Sequence, residues 1–261
     1  MSEKYFSLDG RCVTNFTKKN LIVKSRNYFQ IDKEAFKKKD LKNIFDNIKS
    51  FLCPNDNIRF TDFEKRLKNL EDKISLNDNL KNVQNNFMIP FFLPKKKIKD
   101  IGEELEKIYL PALSKSFEKT FPKYKFINHC KESLKNQIEI KKKSRYEDLL
   151  NKTADKNIVG FISPSLNEFS EPAAIDTINS LPTNIIGAGG LEILSCLIGN
   201  PALLQKKENY SPLLWFTAYN QKNNENLSYH VEQYGYNLTF NRRVHLNLAA
   251  EYWWHSIVFI D

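Results

Sequence analysis

Two histidines and a glutamate near the end of the printed chain are the residues best suited to proton transfer. Glu251 and His255 are four residues apart, a spacing that puts two side chains on one face of either a helix or a strand. A histidine that titrates near neutral pH and is oriented by a carboxylate is the minimum for general acid–base catalysis. His245, Glu251 and His255 are therefore the candidate catalytic residues. Two alternatives stay open: ligation of a divalent metal, which we do not predict, and ordinary packing of histidine in an aromatic strand.

A glycine-rich turn is the second candidate for chemistry. Gly187-Ala-Gly-Gly190 follows the short apolar run Ile185-Ile186 and precedes the helical pattern Leu191–Ile198. Backbone amides at a helix start can face an anion, so Gly187, Gly189 and Gly190 are candidate ligand-binding residues. The turn lacks the lysine of a phosphate-binding loop and the full dinucleotide fingerprint. A tight turn against a packed sheet explains the same residues.

Aromatic and polar residues beside the histidines complete the candidate ligand site. Tyrosine and tryptophan combine an apolar ring with a polar group and are common in pockets and interfaces. The alternative is ordinary sheet packing, although the last fifty residues contain more rings than one buried face needs. The additional candidate ligand-binding residues are Tyr236, Arg243, Asn247, Trp253 and Trp254.

The four cysteines do not predict a metal site or a disulfide framework. Cys12, Cys53, Cys130 and Cys196 are far apart and show no CxxC spacing. Cys12 lies in a hairpin-like segment and Cys196 inside an apolar helical pattern, so neither has the electropositive helix-start setting that activates a thiol. We expect four reduced, structural thiols, which is typical of a cytoplasmic-type protein.

The elements that would position these residues are extended segments. Apolar residues alternate in 234–240 and again in 244–248, which is the period of a half-buried strand. Matching the apolar faces predicts a hairpin with a three-residue loop at 241–243, pairing Phe240 with Val244 and Leu238 with Leu246. The apolar run Ile257–Ile260 predicts a central strand that is buried on both faces.

The first part of the chain follows a helical pattern instead. Apolar stripes recur at helical spacing from residue 36 to residue 121, and the composition changes near residue 151. The predicted fold class is α+β, with a helical N-terminal half packed on a largely antiparallel C-terminal sheet. We predict a single domain over residues 1–261, with a potential subdivision into 1–150, mainly helical and lysine-rich, and 151–261, mainly β and aromatic-rich.

Positive charge is concentrated in that first part. Residues 1–150 hold 33 Lys and Arg against 21 Asp and Glu, whereas residues 151–261 hold 7 against 10. Lysine supplies most of this charge, and nucleic-acid binders often rely on arginine, whose planar group matches phosphate and guanine. Solvated lysine faces are the favoured explanation of the charge, and nucleic acid is the less favoured partner.

Three function classes remain open. The leading expectation is a soluble protein that binds a small molecule or a protein partner in an aromatic-lined pocket on the sheet. The alternatives are a hydrolase or transferase using the His/Glu pair, and an RNA-binding protein using lysines for phosphate and rings for stacking. No motif predicts a cofactor, and no apolar run is long enough for a membrane span. The sequence start shows no apolar signal segment, which favours a cytoplasmic location.

Overall fold

The fold is α+β, as predicted, with helices packed on a mostly antiparallel mixed sheet. A computed structural model describes residues 5–13, 26, 28–32, 36, 40–206 and 210–261 of the chain. Its strands are β1 Ile89–Leu93, β2 Phe126–Asn128, β3 Ile138–Ile140, β4 Ile158–Asn167, β5 Ile186–Gly187, β6 Leu213–Trp215, β7 Tyr219–Gln221, β8 Ser228–Tyr234, β9 Asn237–Arg243 and β10 Trp253–Ile260.

The large sheet has eight strands and draws on both parts of the chain. Seven of them follow the order β1-β4-β10-β6-β8-β9-β2, and β5 pairs with β10 beside this path. β10 lies between β4 and β6, so the run Ile257–Ile260 is a central strand, as predicted. β1 and β2 belong to the lysine-rich part and pair with β4 and β9. β3 and β7 form a separate two-stranded sheet.

The helices lie mainly in the first two thirds of the chain. The helix Gly190–Gly199 (α7) is the most buried of the described helices, because all ten of its residues are buried and it packs against Leu41–Leu52 (α1), Leu110–Thr120 (α4) and β1. Apart from Glu192 and Ser195, its residues are apolar or glycine, as expected for a helix inside a core. The helices are α1 Leu41–Leu52, α2 Phe60–Ser75, α3 Ile101–Glu104, α4 Leu110–Thr120, α5 Tyr146–Asp155, α6 Glu171–Ser180 and α7 Gly190–Gly199. A π-helical turn spans Leu105–Tyr109, and short 3₁₀ turns span Lys81–Asn85 and Lys142–Ser144.

The predicted C-terminal hairpin is wrong in its position. β8 pairs with β9 through a two-residue turn at Gly235-Tyr236, so that Tyr234 faces Asn237 and Val231 faces Phe240. Both turn residues have positive φ angles, 56° and 69°, which is the geometry that suits the twist of a tight hairpin. Residues 241–243 therefore continue β9 and form no loop.

Both faces of the sheet are covered around β6, β8 and β10. One face meets the helices through the main hydrophobic core, which includes Val231, Leu238 and Trp254. On the opposite face Leu213, Trp215, Trp253 and Leu246 form a second, smaller cluster. Leu246 belongs to the segment 244–252, which connects β9 to β10 and is called here the cover segment.

Candidate functional site

Four rings meet on the face of the sheet beneath the cover segment. Trp215 is at their centre, and its ring lies parallel to that of His255 with centroids 5.9 Å apart. The centroids of His230 and Trp253 are each 5.0 Å from that of Trp215. Trp215, Trp253, His230 and His255 are called here the His–Trp cluster. All four side chains are buried, with at most 4% of any residue exposed.

Strand register brings these rings together. Trp215 of β6 pairs directly with His230 of β8, and side chains of paired residues project to the same face of a sheet. On β10, Trp253 and His255 are two residues apart and share a face. A β-bulge between β10 and β4 begins at His255, and bulges often redirect side chains beside functional sites.

Three buried nitrogen atoms of this cluster have no hydrogen-bond partner among the described residues. They are Nε1 of Trp215, Nε1 of Trp253 and Nδ1 of His230. An indole nitrogen can only donate, so each tryptophan requires an acceptor that this part of the chain does not supply. Native structures leave few such groups unpaired, and each unpaired donor costs about 1–3 kcal/mol. The cluster therefore has buried N–H donors that can bond to additional acceptor atoms.

Both histidines of the cluster are neutral at physiological pH. Burial lowers the pKa of His255 to about 3, and the nearby positive charge of Lys141 acts in the same direction. Burial also lowers the pKa of His230, although its contact with Glu232 partly opposes the shift. His255 is therefore too weak a base to hold a proton at pH 7, and its ring acts there as a neutral hydrogen-bonding group.

A polar network extends from His230 towards the cover segment. Oε1 of Glu232 lies 3.2 Å from Nε2 of His230 and 3.7 Å from the guanidinium of Arg243. Arg243 donates to the hydroxyl of Tyr252 at 2.8 Å. Burial alone would raise the pKa of Glu232, but His230 and Arg243 together bring it below its usual range. Arg243, the cation at this end of the site, is therefore paired with the carboxylate of Glu232.

A second polar network extends from His255 to a buried ion pair. The hydroxyl of Thr217 lies 2.9 Å from Nδ1 of His255, and the carbonyl of Thr217 accepts from Nζ of Lys141 at 3.3 Å. Nζ of Lys141 lies 2.6 Å from Oε1 of Glu171. Burial lowers the pKa of Lys141 and raises that of Glu171, and the ion pair partly opposes both shifts. Five polar side chains from distant parts of the sequence thus converge beside the rings, namely Lys141, Glu171, Thr217, Ser228 and His255.

The cover segment closes this region and is held at several points. Leu246 is 3% exposed and packs on the tryptophans, and its carbonyl accepts from the amide of Glu171 at 3.0 Å. Glu251 accepts two hydrogen bonds from Arg26, at 3.0 and 3.1 Å. The carbonyl of Tyr252 accepts from the amide of Leu213 at 2.9 Å.

The structure separates the three candidate catalytic residues. His255 contacts Thr217 inside the sheet, whereas Glu251 pairs with Arg26 on the cover segment. His245 is exposed and has a positive φ angle of 65°. Their hydrogen bonds within the described residues do not join them into one site. His255 alone belongs to the cluster described above.

The candidate ligand-binding residues are divided among several places. Trp253 and Arg243 join the His–Trp cluster and its polar network. Trp254 lies on the opposite face against Phe87. Tyr236 occupies the hairpin turn and stacks on Tyr124 with centroids 5.4 Å apart, and Asn247 is exposed on the cover segment. Three further aromatic residues of the C-terminal part, Trp215, Tyr219 and Tyr229, are buried and offer no exposed ring on which an RNA base could stack.

The anion position at the glycine turn is filled by the chain itself. The backbone amide of Gly189 donates to Glu192, and the hydroxyl of Tyr146 donates to the same carboxyl at 2.6 Å. The rings of Tyr146, Tyr219 and Phe216 approach Gly189 and Gly190 so closely that a Cβ atom would meet them at 2.6–2.7 Å. Gly187 lies in β5 and pairs with Ile257. The turn is thus packed with protein groups.

The clearest cavities lie away from the His–Trp cluster. A groove of about 800 Å³ runs between α1 and α2, and its rim includes Phe36, whose sequence neighbours 33–35 and 37–39 lie outside the described residues. A polar cavity of about 160 Å³ lies beside Trp254 and the Arg11–Glu168 ion pair. Its volume is below that of typical ligand pockets.

Thiol and metal chemistry find no support in the described residues. Burial raises the pKa of Cys12 above its usual range and that of Cys130 to about 11, which keeps both as thiols. Cys196 is fully buried in α7. Across the described ranges, no three His, Cys, Asp or Glu side chains are grouped so as to hold a metal ion.

Several residues of the site escaped the sequence interpretation. His230 and Glu232 alternate with Tyr229 and Val231 along β8, and this polar stripe on a strand was a usable signal. Lys141 gave no such signal, because it belongs to the run Lys141-Lys142-Lys143 and resembles its neighbours. Glu171 and Thr217 are brought to it only by tertiary packing.

Similarity to known proteins gives no further information about this site. Among the described residues, no helix has both the length and the apolar character needed to cross a membrane. Searches against protein-family models, curated proteins and solved structures find no match to this chain.

Proposed function

We propose that this protein binds a small molecule at the His–Trp cluster, beneath the cover segment. The observation that carries the proposal is the pair of buried indole N–H groups, on Trp215 and Trp253, without an acceptor among the described residues. A ligand with acceptor atoms would satisfy donors that otherwise remain costly. The stacked and edge-on rings become the apolar surface that such sites use for affinity only when the cover segment opens, because at most 4% of any of the four residues is exposed.

The charges around the cluster favour a neutral ligand. Arg243 is already close to Glu232, and Lys141 is already paired with Glu171. The histidines are neutral at pH 7 because burial lowers their pKa values. Neither end of the site offers an unpaired cation to an anionic group. A carbonyl, amide or ether oxygen on a planar or apolar body fits the donors best.

The three tryptophans of the chain provide a direct test. Protein labelled with 5-fluorotryptophan gives one ¹⁹F signal each for Trp215, Trp253 and Trp254, assigned by Trp→Phe variants. Neutral carbonyl and amide metabolites are then titrated singly. We expect a binding compound to shift the signals of Trp215 and Trp253 and to leave that of Trp254, on the opposite face, unchanged. Trp254→Phe is the matched control and should bind normally.

Loss of one indole donor should weaken binding. Trp215→Phe keeps an aromatic ring but removes the N–H, and we expect roughly a tenfold loss of affinity, because a buried hydrogen bond contributes about 1–1.5 kcal/mol. Shifts confined to Trp254, or equal affinity of the wild type and Trp215→Phe, would contradict the proposed site.

The acid–base alternative needs different residues from those the sequence suggested. His255 has a pKa of about 3 and Glu251 is engaged by Arg26, so this pair is poorly suited to proton transfer at pH 7. The observation that favours an enzyme is the buried Lys141–Glu171 pair, whose two pKa values are shifted towards each other by burial.

A further inference from the structure

Lys141 differs from the two lysines that follow it. Lys142 and Lys143 are exposed, and Lys143 pairs with Asp176 at the surface. The side chain of Lys141 instead turns inward and retains only 16% of its exposure, beside Glu171 with 5%. Three identical residues in one short run thus have two different environments.

The inward lysine is held from several sides. Nζ lies 2.6 Å from Glu171 and 3.3 Å from the carbonyl of Thr217. His255 and Glu225 are the other titratable groups whose charges interact with it, and Ser228 faces Glu171. The backbone of Lys141 is fixed as well, because its amide donates to Ala218 and its carbonyl accepts from the amide and the hydroxyl of Ser144. The amine therefore occupies a defined position.

Burial changes the proton affinity of this pair. Desolvation lowers the pKa of Lys141 and raises that of Glu171, so moving a proton from the ammonium to the carboxylate costs less here than in water. A neutral lysine amine is a nucleophile, and a desolvated lysine is the usual form in which proteins use one. An ion pair that only stabilised the fold would not require a group that can become a neutral amine, and arginine would form it equally well.

We propose that Nζ of Lys141 is a reactive amine that condenses with the carbonyl carbon of an aldehyde or ketone, with Glu171 as its proton acceptor and donor. The inference rests on the Lys141–Glu171 geometry and does not depend on the ligand proposed for the His–Trp cluster.

The chemistry balances with groups present in the site and the carbonyl compound alone. Glu171 takes a proton from the ammonium, and the nitrogen lone pair forms a C–N bond while the carbonyl π electrons move to oxygen. The alkoxide oxygen takes a proton from the attacking nitrogen, which gives a neutral carbinolamine. Glu171 then returns its proton to the hydroxyl, which leaves as water as the C=N bond forms. The net change converts one carbonyl compound and one lysine ammonium to one iminium ion and one water, and Glu171 is again a carboxylate.

Competitive reductive alkylation tests the inference on the intact wild-type protein. Propanal and sodium cyanoborohydride trap imines as stable N-propyl lysines, and peptide mass spectrometry measures the rate at each lysine as a function of pH. We expect the rate profile of Lys141 to have its midpoint at lower pH than those of Lys142 and Lys143. The midpoints are compared instead of the absolute rates, because the rates also depend on how accessible each amine is. A Lys141 midpoint equal to or above theirs, or the absence of an adduct at Lys141, would overturn the inference.

Two variants separate a reactive amine from a structural cation. Glu171→Gln removes the negative charge that opposes desolvation, so the Lys141 midpoint should fall further, while those of Lys142 and Lys143 stay unchanged. Lys141→Arg keeps the cation and should retain the fold while losing the adduct with the lower midpoint. An unchanged Lys141 midpoint in folded Glu171→Gln would refute the coupling. The wild-type profile still decides the question if either variant fails to fold.

Discussion

The hydroxyl of Tyr146 donates a hydrogen bond to Glu192 at 2.6 Å, at the point where α7 begins inside the core. The amide of Gly189 donates to the other oxygen of the same carboxyl. Burial nevertheless outweighs both donors and raises the pKa of Glu192 to about 7. The glycine turn therefore holds a carboxyl that releases its proton near neutral pH, in a place where an external anion has no room.

Glu192 should make the protein less stable as the pH rises. Its pKa is raised from 4.5 to about 7 in the folded state, so its contribution is complete below pH 4.5 and is lost as the pH rises through 7. The expected loss is on the order of 3 kcal/mol, since each pH unit between the two pKa values contributes about 1.4 kcal/mol. Urea unfolding of the wild type and Glu192→Gln between pH 4.5 and 8 measures it. A constant difference between the two proteins would contradict the raised pKa.

His255 should make the protein more stable as the pH rises. Its pKa is lowered from 6.5 to about 3, so its contribution is complete above pH 6.5 and is lost as the pH falls towards 3. Between pH 4.5 and 6.5 the contributions of these two groups to the free energy of unfolding largely cancel. We expect His255→Gln to become relatively more stable on acidification and Glu192→Gln relatively less stable. Parallel curves for the wild type and both variants would refute this compensation.

The main architecture could be predicted because it depends on local patterns. Ile257–Ile260 is apolar at every position, and this alone indicates a strand buried on both faces. The hairpin prediction failed because Tyr234 and Tyr236 continue the alternation of Leu238 and Phe240 across the turn. Both tyrosines are in fact largely exposed, at 75% and 44%. Gly235 marked the turn, but the apolar period was given more weight than the glycine.

The site could be predicted only where one strand carries it. Trp253 and His255 share a face of β10, and their spacing was visible in the sequence. Their partners come from other elements: Trp215 from β6, His230 from β8 and Lys141 from the loop after β3. Those proximities follow from strand order, in which β10 neighbours β6 and β6 neighbours β8, and no local period encodes this order.

Substitution by alanine should destabilise the protein to different extents at Gly189 and Gly235. A Cβ atom at Gly189 would lie 2.6 Å from the rings of Tyr146 and Tyr219, both of which are fully buried. At Gly235 nothing lies within 4 Å, and only the φ angle of +56° disfavours a side chain. We expect Gly189→Ala to cost about 3 kcal/mol or more, through overpacking, and Gly235→Ala to cost about 1 kcal/mol. Denaturant titration measures both.

A Gly235→Asn variant tests whether the positive φ angle is what makes Gly235→Ala destabilising. Asparagine tolerates positive φ better than alanine does, so Gly235→Asn should recover part of the lost stability. Gly189→Asn should be at least as damaging as Gly189→Ala. Equal losses at the two positions would show that neither the crowding at Gly189 nor the φ angle at Gly235 governs stability.

The cover segment should depend on Leu246 and not on Leu248. Leu246 is 3% exposed against Trp215 and Trp253, whereas Leu248, two residues later, is 63% exposed. We expect Leu246→Ala to reduce the free energy of unfolding by about 2–4 kcal/mol and Leu248→Ala to change it by less than about 0.5 kcal/mol. Tryptophan emission should move to longer wavelength in Leu246→Ala alone, because water gains access to the two rings.

Amide exchange can distinguish local opening of the cover segment from global unfolding. The amide of Glu171 donates to the carbonyl of Leu246 at 3.0 Å, so its exchange reports whether the cover segment is in place. The amide of Ala174, in the same helix, donates to Ser170 at 2.9 Å and serves as the control. In Leu246→Ala we expect Glu171 to exchange faster relative to Ala174, because the cover segment can open while α6 persists. If both amides accelerate by the same factor, the cover segment opens only when the whole protein unfolds, and access to the His–Trp cluster would require that larger transition.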